Sequence, residues 1–526
     1  MDFSVVAQDV RRRNDSAGRR DESGLGWQTY AEALQNAGIS WKVYQNAADN
    51  FGDNALAYFK QFANAAPGSP LAVNGMNSVP ATTGKTPDDI VAAIKADVVT
   101  GKLPQVSWIV PDQASSEHPY APPNDGAHFV HNVINALNAD PSVFNSTVLI
   151  LNYDENDGLF DHVPPPVAPG GTADEFLNGV PIGLGFRVPL IVISPWTRGG
   201  WVSSEVFDHT SVLRFLEAWT AALGKKATCP NISAWRRSVC GDLTGLFNFS
   251  SPVTGLPTLP DTSALIGLAA CAPEPNPAPT SNSQPAQESG TRPARALPYQ
   301  PNAYLDHFTY GASGEARAWI TFANVGAPAT HAAHFSAYVN AFRSGGPWQY
   351  TVGAGGNASD FYEVGTGYGN GAYDLTVIGP NRFLRRFQGD ITKAGKTASV
   401  ASSYSNAPNT GKLSVWFAMT NTGTATVTFT IKANQYRTDG PWTYSVAAGK
   451  TVSDYFNAVA YNNGWYDFTV TVNSDPGWSQ RFTGHLETGP PPSAAETHGR
   501  LSEICCSRRH VPGLGKLTQP GAWEFG

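Results

Sequence analysis

The stretch STVLILNYDENDGLFDHVPPP, residues 146–166, decides the fold. Val148 to Leu151 are apolar without alternation, the pattern of a strand covered on both faces rather than wetted on one. The run breaks into a polar cluster and is closed by Pro164, Pro165 and Pro166. A second such run, Leu190 to Ile193 in VPLIVISP, repeats the pattern. Strands of this kind need helices on both sides of the sheet.

Working outward, helical and strand signals alternate from Trp27 to about Phe247. WQTYAEALQNAG (27–38) is amphipathic and helical, ISWKVY (39–44) strand-like, and DDIVAAIKADVVTG (88–101) helical with a glycine stop. VSWIVP (106–111) is the next strand, followed by the helix HFVHNVINALNAD (128–140), the two apolar runs, and the helix DHTSVLRFLEAW (208–219). This order is that of a doubly wound α/β sheet, in which polar groups following the strands sit at their carboxyl ends, where such folds place their sites.

Past this region the chain changes character. Pro273 to Pro301 is rich in Pro, Ser, Asn, Gln and Ala and reads as a linker. Beyond it come short alternating stretches broken by Gly and Asn, typical of β-sandwiches. They repeat: GGPWQYTVGAGGNASDFYEV (345–364) is answered by DGPWTYSVAAGKTVSDYFNAV (439–459), YDLTV (373–377) by YDFTV (466–470), and RRFQGD (385–390) by QRFTGH (480–485). Two copies of one sandwich follow from this register. The expected division is an unassigned amino terminus (1–26), an α/β domain (27–250), a linker (251–295), sandwiches at 296–392 and 394–489, and a disordered tail (490–526).

Composition narrows the function classes. The chain has 526 residues, 41% hydrophobic and 15% charged, with a formal net charge of −7, so it offers no concentrated basic surface for nucleic acid. No stretch reaches the roughly 20 apolar residues of a transmembrane helix. Arg11, Arg12, Arg13, Arg19 and Arg20 precede no apolar core, so no signal peptide is visible. Among five cysteines, Cys229 and Cys240 bracket a short loop-like stretch and could form a bridge; Cys271, Cys505 and Cys506 have no evident partner.

The chemistry concentrates after the first apolar run. Asp154 and Glu155 are followed within eight positions by Asp157, Asp161 and His162. Carboxylates and a histidine at a strand end can hold a divalent cation that polarises a phosphoryl oxygen; alternatively the stretch is a solvated acidic loop. His118, in SSEHPYAPP, follows another strand-like run, and Asp208 with His209 opens a helix, where capping explains Asp208 better than catalysis. His128 and His131, three residues apart in a helix, read as surface residues.

The blocks ISWKVYQ, SEHP, YDENDGLFDHVPPP, RVPLIVISPWTRGGWVSSEVFDHTSVLRFLE and ISAWRRSVCGDLTGLF resemble the phosphocholine-preferring bacterial phospholipases C and related acid phosphatases of the alkaline phosphatase superfamily, over about residues 27–489. The tandem repeats resemble that family's carboxy-terminal domain pair. The resemblance implies an alkaline-phosphatase-like layered α/β sheet, incomplete at its amino terminus, followed by two tandem β-sandwich domains. It implies a phospholipid substrate at a membrane surface, a divalent metal ion of unknown identity held by Asp154 and Glu155, and catalytic roles for His118, His162 and His209. It also implies secretion or a periplasmic location. The family's amino-terminal metal motif and its Ser or Thr nucleophile have no counterpart in residues 1–26, so the chain is expected to be a truncated form that hydrolyses neither phosphatidylcholine nor p-nitrophenyl phosphorylcholine. Alternatives are a catalytically silent binding module and an acid phosphatase.

Overall fold

Four short strands form the spine of the amino-terminal half. In a computed structural model that describes residues 24–81, 87–118, 121–156, 158–159, 163–266, 292–326 and 330–488, β1 (Trp41–Tyr44) and β2 (Val106–Ile109) pair in parallel. β3 (Leu149–Asn152) pairs with β6 (Leu190–Ile193), and a small hairpin of β4 (Phe176–Leu177) and β5 (Val180–Pro181) lies between them in sequence. Successive side chains of a strand point to opposite faces, and each face meets its own helices. Trp41, Val106, Ile150 and Val192 pack with Tyr30 and Leu34 of the helix Tyr30–Asn36 and with Phe215 and Trp219 of the helix His209–Ala222. Tyr44, Leu149 and Ile193 pack with Ile90, Ile94 and Val98 of the helix Pro87–Val99 and with Phe129 and Val133 of the helix Pro123–Leu137. The layered α/β arrangement expected from the apolar runs is the one observed.

Four local features differ from expectation. β6 runs antiparallel to β3, Asn152 opposite Leu190; a parallel neighbour needs a crossover element, and the described part of 153–189 contains no helix. The carboxyl end of β6 therefore lies away from that of β3. The helix expected at 128–140 starts earlier, at Pro123, where proline suits the first turn. Cys229 and Cys240 are buried free thiols rather than a bridge, and burial raises the pKa of both. Within the stretch expected as linker, Leu256 and Leu259 pack on the α/β core.

The second half has one motif twice. The first copy comprises β7 (Pro301–Tyr310), β8 (Ala316–Asn324), β9 (Ala333–Ala341), β10 (Trp348–Val352), β11 (Asn357–Glu363), β12 (Ala372–Ile378) and β13 (Leu384–Asp390). The second comprises β14 (Ala398–Asn406), β15 (Leu413–Asn421), β16 (Val427–Gln435), β17 (Trp442–Val446), β18 (Lys450–Phe456), β19 (Trp465–Val472) and β20 (Asp475–His485). In both, the first, second and fifth strands form a three-stranded sheet and the other four form its partner. The two four-stranded sheets join through β13 and β20 into one sheet of eight strands, so neither leaves that edge open to foreign strands. Fully buried Arg385 sits at the join, donating to the carbonyls of Leu384 and Thr483 and to the hydroxyls of Tyr404 and Tyr466. No helix among the described residues is long and apolar enough to cross a membrane.

The halves meet along a polar seam. Val206 N donates to the Tyr299 hydroxyl (3.1 Å), Trp235 Nε1 to Thr351 Oγ1 (3.0 Å), and Ala332 N to the Ser238 carbonyl (3.0 Å). Beside Val206, the Glu205 carboxyl presses on Gly241, where any Cβ would lie 2.2 Å from its oxygen. Burial and then Asp242 push this carboxyl up to about 8, more than Arg214 offsets. Because the folded pKa lies above the unfolded value of about 4.5, the folded chain binds the proton more tightly, and stability falls as pH rises from about 4.5 to about 8. Glu205→Gln is expected to remove this slope: its melting temperature should match the parent near pH 4.5 and exceed it by an increasing margin up to pH 8. Parallel curves across that range would contradict this.

Candidate active site

The site is assembled from loops that follow strands. The loop after β1 carries Asp53, the loop after β2 carries His118, and β3 ends at Asn152, two residues before Asp154. Burial, then the negative charge of Asp154 and more weakly of Glu155, together push the Asp53 carboxyl up to about 6, with His118 offsetting part of the rise. The three loops therefore share one electrostatic field, and a local excess of negative charge gathers at this edge of the sheet.

Specific bonds hold each loop. The Tyr153 hydroxyl donates to Glu117 Oε2 at 2.8 Å, tying the residue before His118 to the residue before Asp154. Glu117 adopts φ +60, and its side chain lies over Gly126, where a Cβ would come within 2.2 Å of Glu117 Cγ. The His118 ring packs on Phe51 with centroids 4.6 Å apart, and His118 N donates to Ser116 Oγ. His209 reaches in from the start of its helix: Nε2 donates to the Asp154 carbonyl (3.0 Å) and Nδ1 accepts from Asn152 Nδ2 (3.0 Å). These partners set the ring's tautomer, and they make His209 a residue that positions the Asp154 loop. His162, with Asp157 and Asp161, lies outside the described residues.

Asp208 caps the helix that presents His209. Its Oδ1 accepts from Thr210 N (2.9 Å) and Thr210 Oγ1 (2.6 Å), and its Oδ2 from Arg236 Nη1 (2.7 Å). Burial acts to raise this carboxyl, but the bonds from Thr210 and Arg236 outweigh it and hold it below the usual range. Arg236 also grips Glu175, Nε to Oε1 at 2.9 Å and Nη2 to Oε2 at 3.0 Å, and the three side chains are 1–7% exposed.

An apolar cavity of about 280 Å³ adjoins these residues. Trp27, Tyr30, Phe59, Trp108, Leu213 and Ile232 line it, together with Asp53 and His209. Asp53, Asn152, Glu117 and Tyr153 were not singled out by sequence. Asp53 lies nine residues past the strand ISWKVY, whereas Asp154 lies two past β3, so the strand-end rule does not reach it. Among the described residues, no three His, Cys, Asp or Glu side chains gather closely enough to enclose a metal ion. The carboxylates of Asp154 and Glu155 nonetheless suit a hard divalent cation, because such ions can be held by one or two carboxylates with water and substrate phosphate completing the shell.

Two family models cover most of the chain. The Phosphoesterase family matches residues 8–220, and the bacterial phospholipase C C-terminal domain matches twice, over 293–390 and 398–485. The chain is 40% identical over 524 residues to a non-hemolytic phospholipase C of Burkholderia pseudomallei, covering 91% of this chain and 71% of that relative. It is 41% identical to a non-hemolytic phospholipase C of Pseudomonas aeruginosa, covering 89% and 68%, and 36% identical to a hemolytic phospholipase C of that organism, covering 83% and 62%.

Two substitutions test the scaffold. Arg236→Met strands two buried carboxylates and is expected to cost about 3–5 kcal/mol in urea denaturation; a loss under 1 kcal/mol would show that the carboxylates find other partners. Gly126→Ala should swing Glu117 off Tyr153 while a helical alanine offsets part of the strain. Ligand binding or turnover at the site should then fall at least tenfold while the melting temperature moves by only a few degrees. Unchanged function would mean that the Glu117–Tyr153 bond does not set the His118 loop.

Proposed function

We propose, for a chain that belongs to the bacterial phospholipases C of the phosphoesterase family, hydrolysis of the bond between phosphorus and the glycerol oxygen of phosphatidylcholine-like lipids, releasing diacylglycerol and the phosphorylated head group. The observation that carries this is the shared field of Asp53, His118, Asp154 and Glu155 beside an apolar cavity. Phosphoryl transfer needs mainly alignment and charge neutralisation. A divalent cation at Asp154 and Glu155 would supply positive charge to the phosphoryl oxygens. His118, braced on Phe51, donates a hydrogen bond to a non-bridging oxygen when protonated, and His209 keeps the Asp154 backbone in place. The cavity takes the apolar part of the substrate, which favours a lipid over a small phosphate monoester. No nucleophile is assigned among the described residues, so turnover by this chain is expected to be impaired. Secretion to the outside of the cell accords with the substrate.

The assay is steady-state turnover by the full chain with added divalent cations, on phosphatidylcholine vesicles, p-nitrophenyl phosphorylcholine and p-nitrophenyl phosphate. Cleavage of the first two, reduced about 10²–10⁴-fold by Asp154→Asn or His118→Ala, supports the proposal. Cleavage of p-nitrophenyl phosphate alone would make the chain a phosphatase. No turnover on any of the three by folded protein would leave a binding module.

A further inference from the structure

The turn that leads into Asp53 holds an aromatic residue in a strained and exposed position. Phe51 and Gly52 are both in the left-handed region, at φ +54 and φ +87. Glycine adopts that conformation freely, whereas phenylalanine is strained there, so its surroundings must impose it. Gly52 N donates to Asn50 Oδ1 (3.0 Å), Asp53 N to the Asn50 carbonyl (2.9 Å), and the Tyr58 hydroxyl to the Gly52 carbonyl (3.1 Å). Asn50 Nδ2 in turn donates to Oε1 of fully buried Gln45 (2.8 Å), which ties the turn to the interior.

Packing of the core does not account for this arrangement. Phe51 joins neither apolar core of the α/β half and is 48% exposed. Its ring lies instead on that of His118, with centroids 4.6 Å apart and planes at 46°. The histidine covers one side of the ring, and its exposure leaves the rest approachable from solvent. Two residues on, the Asp53 carboxyl shares its field with Asp154, Glu155 and His118. A divalent cation at Asp154 and Glu155 would still leave Asp53 to supply negative charge.

An open aromatic face beside a carboxylate attracts an organic cation through the ring quadrupole, and a quaternary ammonium suits it best. Its methyl groups donate no hydrogen bonds, so it needs no polar partners and gives up little hydration. A primary ammonium gains less from the ring, because its three donors are better satisfied by water. In phosphocholine a short ethylene bridge separates the phosphate from the ammonium, so two adjacent rings can meet the two ends.

We propose that Phe51 determines head-group specificity: its ring receives the trimethylammonium end of a phosphocholine group whose phosphoryl oxygens are bonded by His118. This rests on the hydrolase reading above, which places the phosphoryl group at His118.

The test is titration calorimetry of the full chain, with magnesium chloride present, against phosphocholine, phosphoethanolamine and inorganic phosphate. None of these carries a lipid tail, so the apolar cavity plays no part. The parent should bind phosphocholine about fivefold or more tightly than phosphoethanolamine. Phe51→Leu, which keeps the bulk and lacks the ring, should bring that preference below about twofold with little change in melting temperature, and Phe51→Trp should retain it. If the ring only braces His118, all three ligands will weaken by the same factor in Phe51→Leu, and the proposal falls. It also falls, with the hydrolase reading intact, if the parent binds phosphate and both amines but prefers neither amine, or if the preference survives in Phe51→Leu. Failure of the folded parent to bind any of the three would overturn both readings.

Discussion

One buried guanidinium holds the active-site half in register. Arg236 places a single positive charge between Glu175 and Asp208, all three nearly excluded from water. Such a group is costly to bury alone and tolerable only when its hydrogen bonds are met, so the three segments that supply it are mutually dependent. One comes from the loop beside β4, one caps the helix His209–Ala222, and one belongs to the helix Ala234–Val239, which also supplies Trp235 to the seam with the first sandwich. Through Asp208 the network fixes where that helix starts, and hence where His209 meets the Asp154 loop.

How far this was legible in sequence follows from the kind of signal each feature leaves. Apolar runs such as Val148 to Leu151 announce strands covered on both faces, and the carboxyl-end rule then points to Asp154 and Glu155. Strand direction leaves no such trace: nothing in VPLIVISP distinguishes a parallel from an antiparallel β6, because both burial patterns are the same. Asp53 and Glu117 were hidden because each is a lone acidic residue in an ordinary loop, and their importance comes from neighbours 36 or more positions away. Arg236 was visible only as part of a basic pair, since Asp208 and Glu175 become its partners through folding.

The β half shows the same division. Its repeat was plain from matched residues, since the same aromatic and turn positions recur at a nearly constant spacing. The fusion of the two sandwiches through β13 and β20 was not, because main-chain pairing between edges depends on exposed amides and carbonyls that every residue carries. Arg385 is the side-chain sign of that fusion. It reaches the Thr483 carbonyl and the Tyr466 hydroxyl of the other copy and so holds the joined edges in one register.

These contacts imply a ranking of rigidity. The cores around Trp219 and Phe429 rest on many apolar neighbours, so losing one contact leaves the rest in place. The site rests on a few polar latches in series: Glu117 with Tyr153 for the His118 loop, His209 with Asn152 and the Asp154 carbonyl, and Asp208 with Arg236 for the helix behind His209. Apart from the Arg236 network, these latches lie near solvent and have few substitutes. Local opening should therefore begin at the carboxyl end of β3 and leave the layered core intact. A site acting on the lipid proposed above would gain from this ordering, because the edge of the sheet can loosen without the sheet itself coming apart.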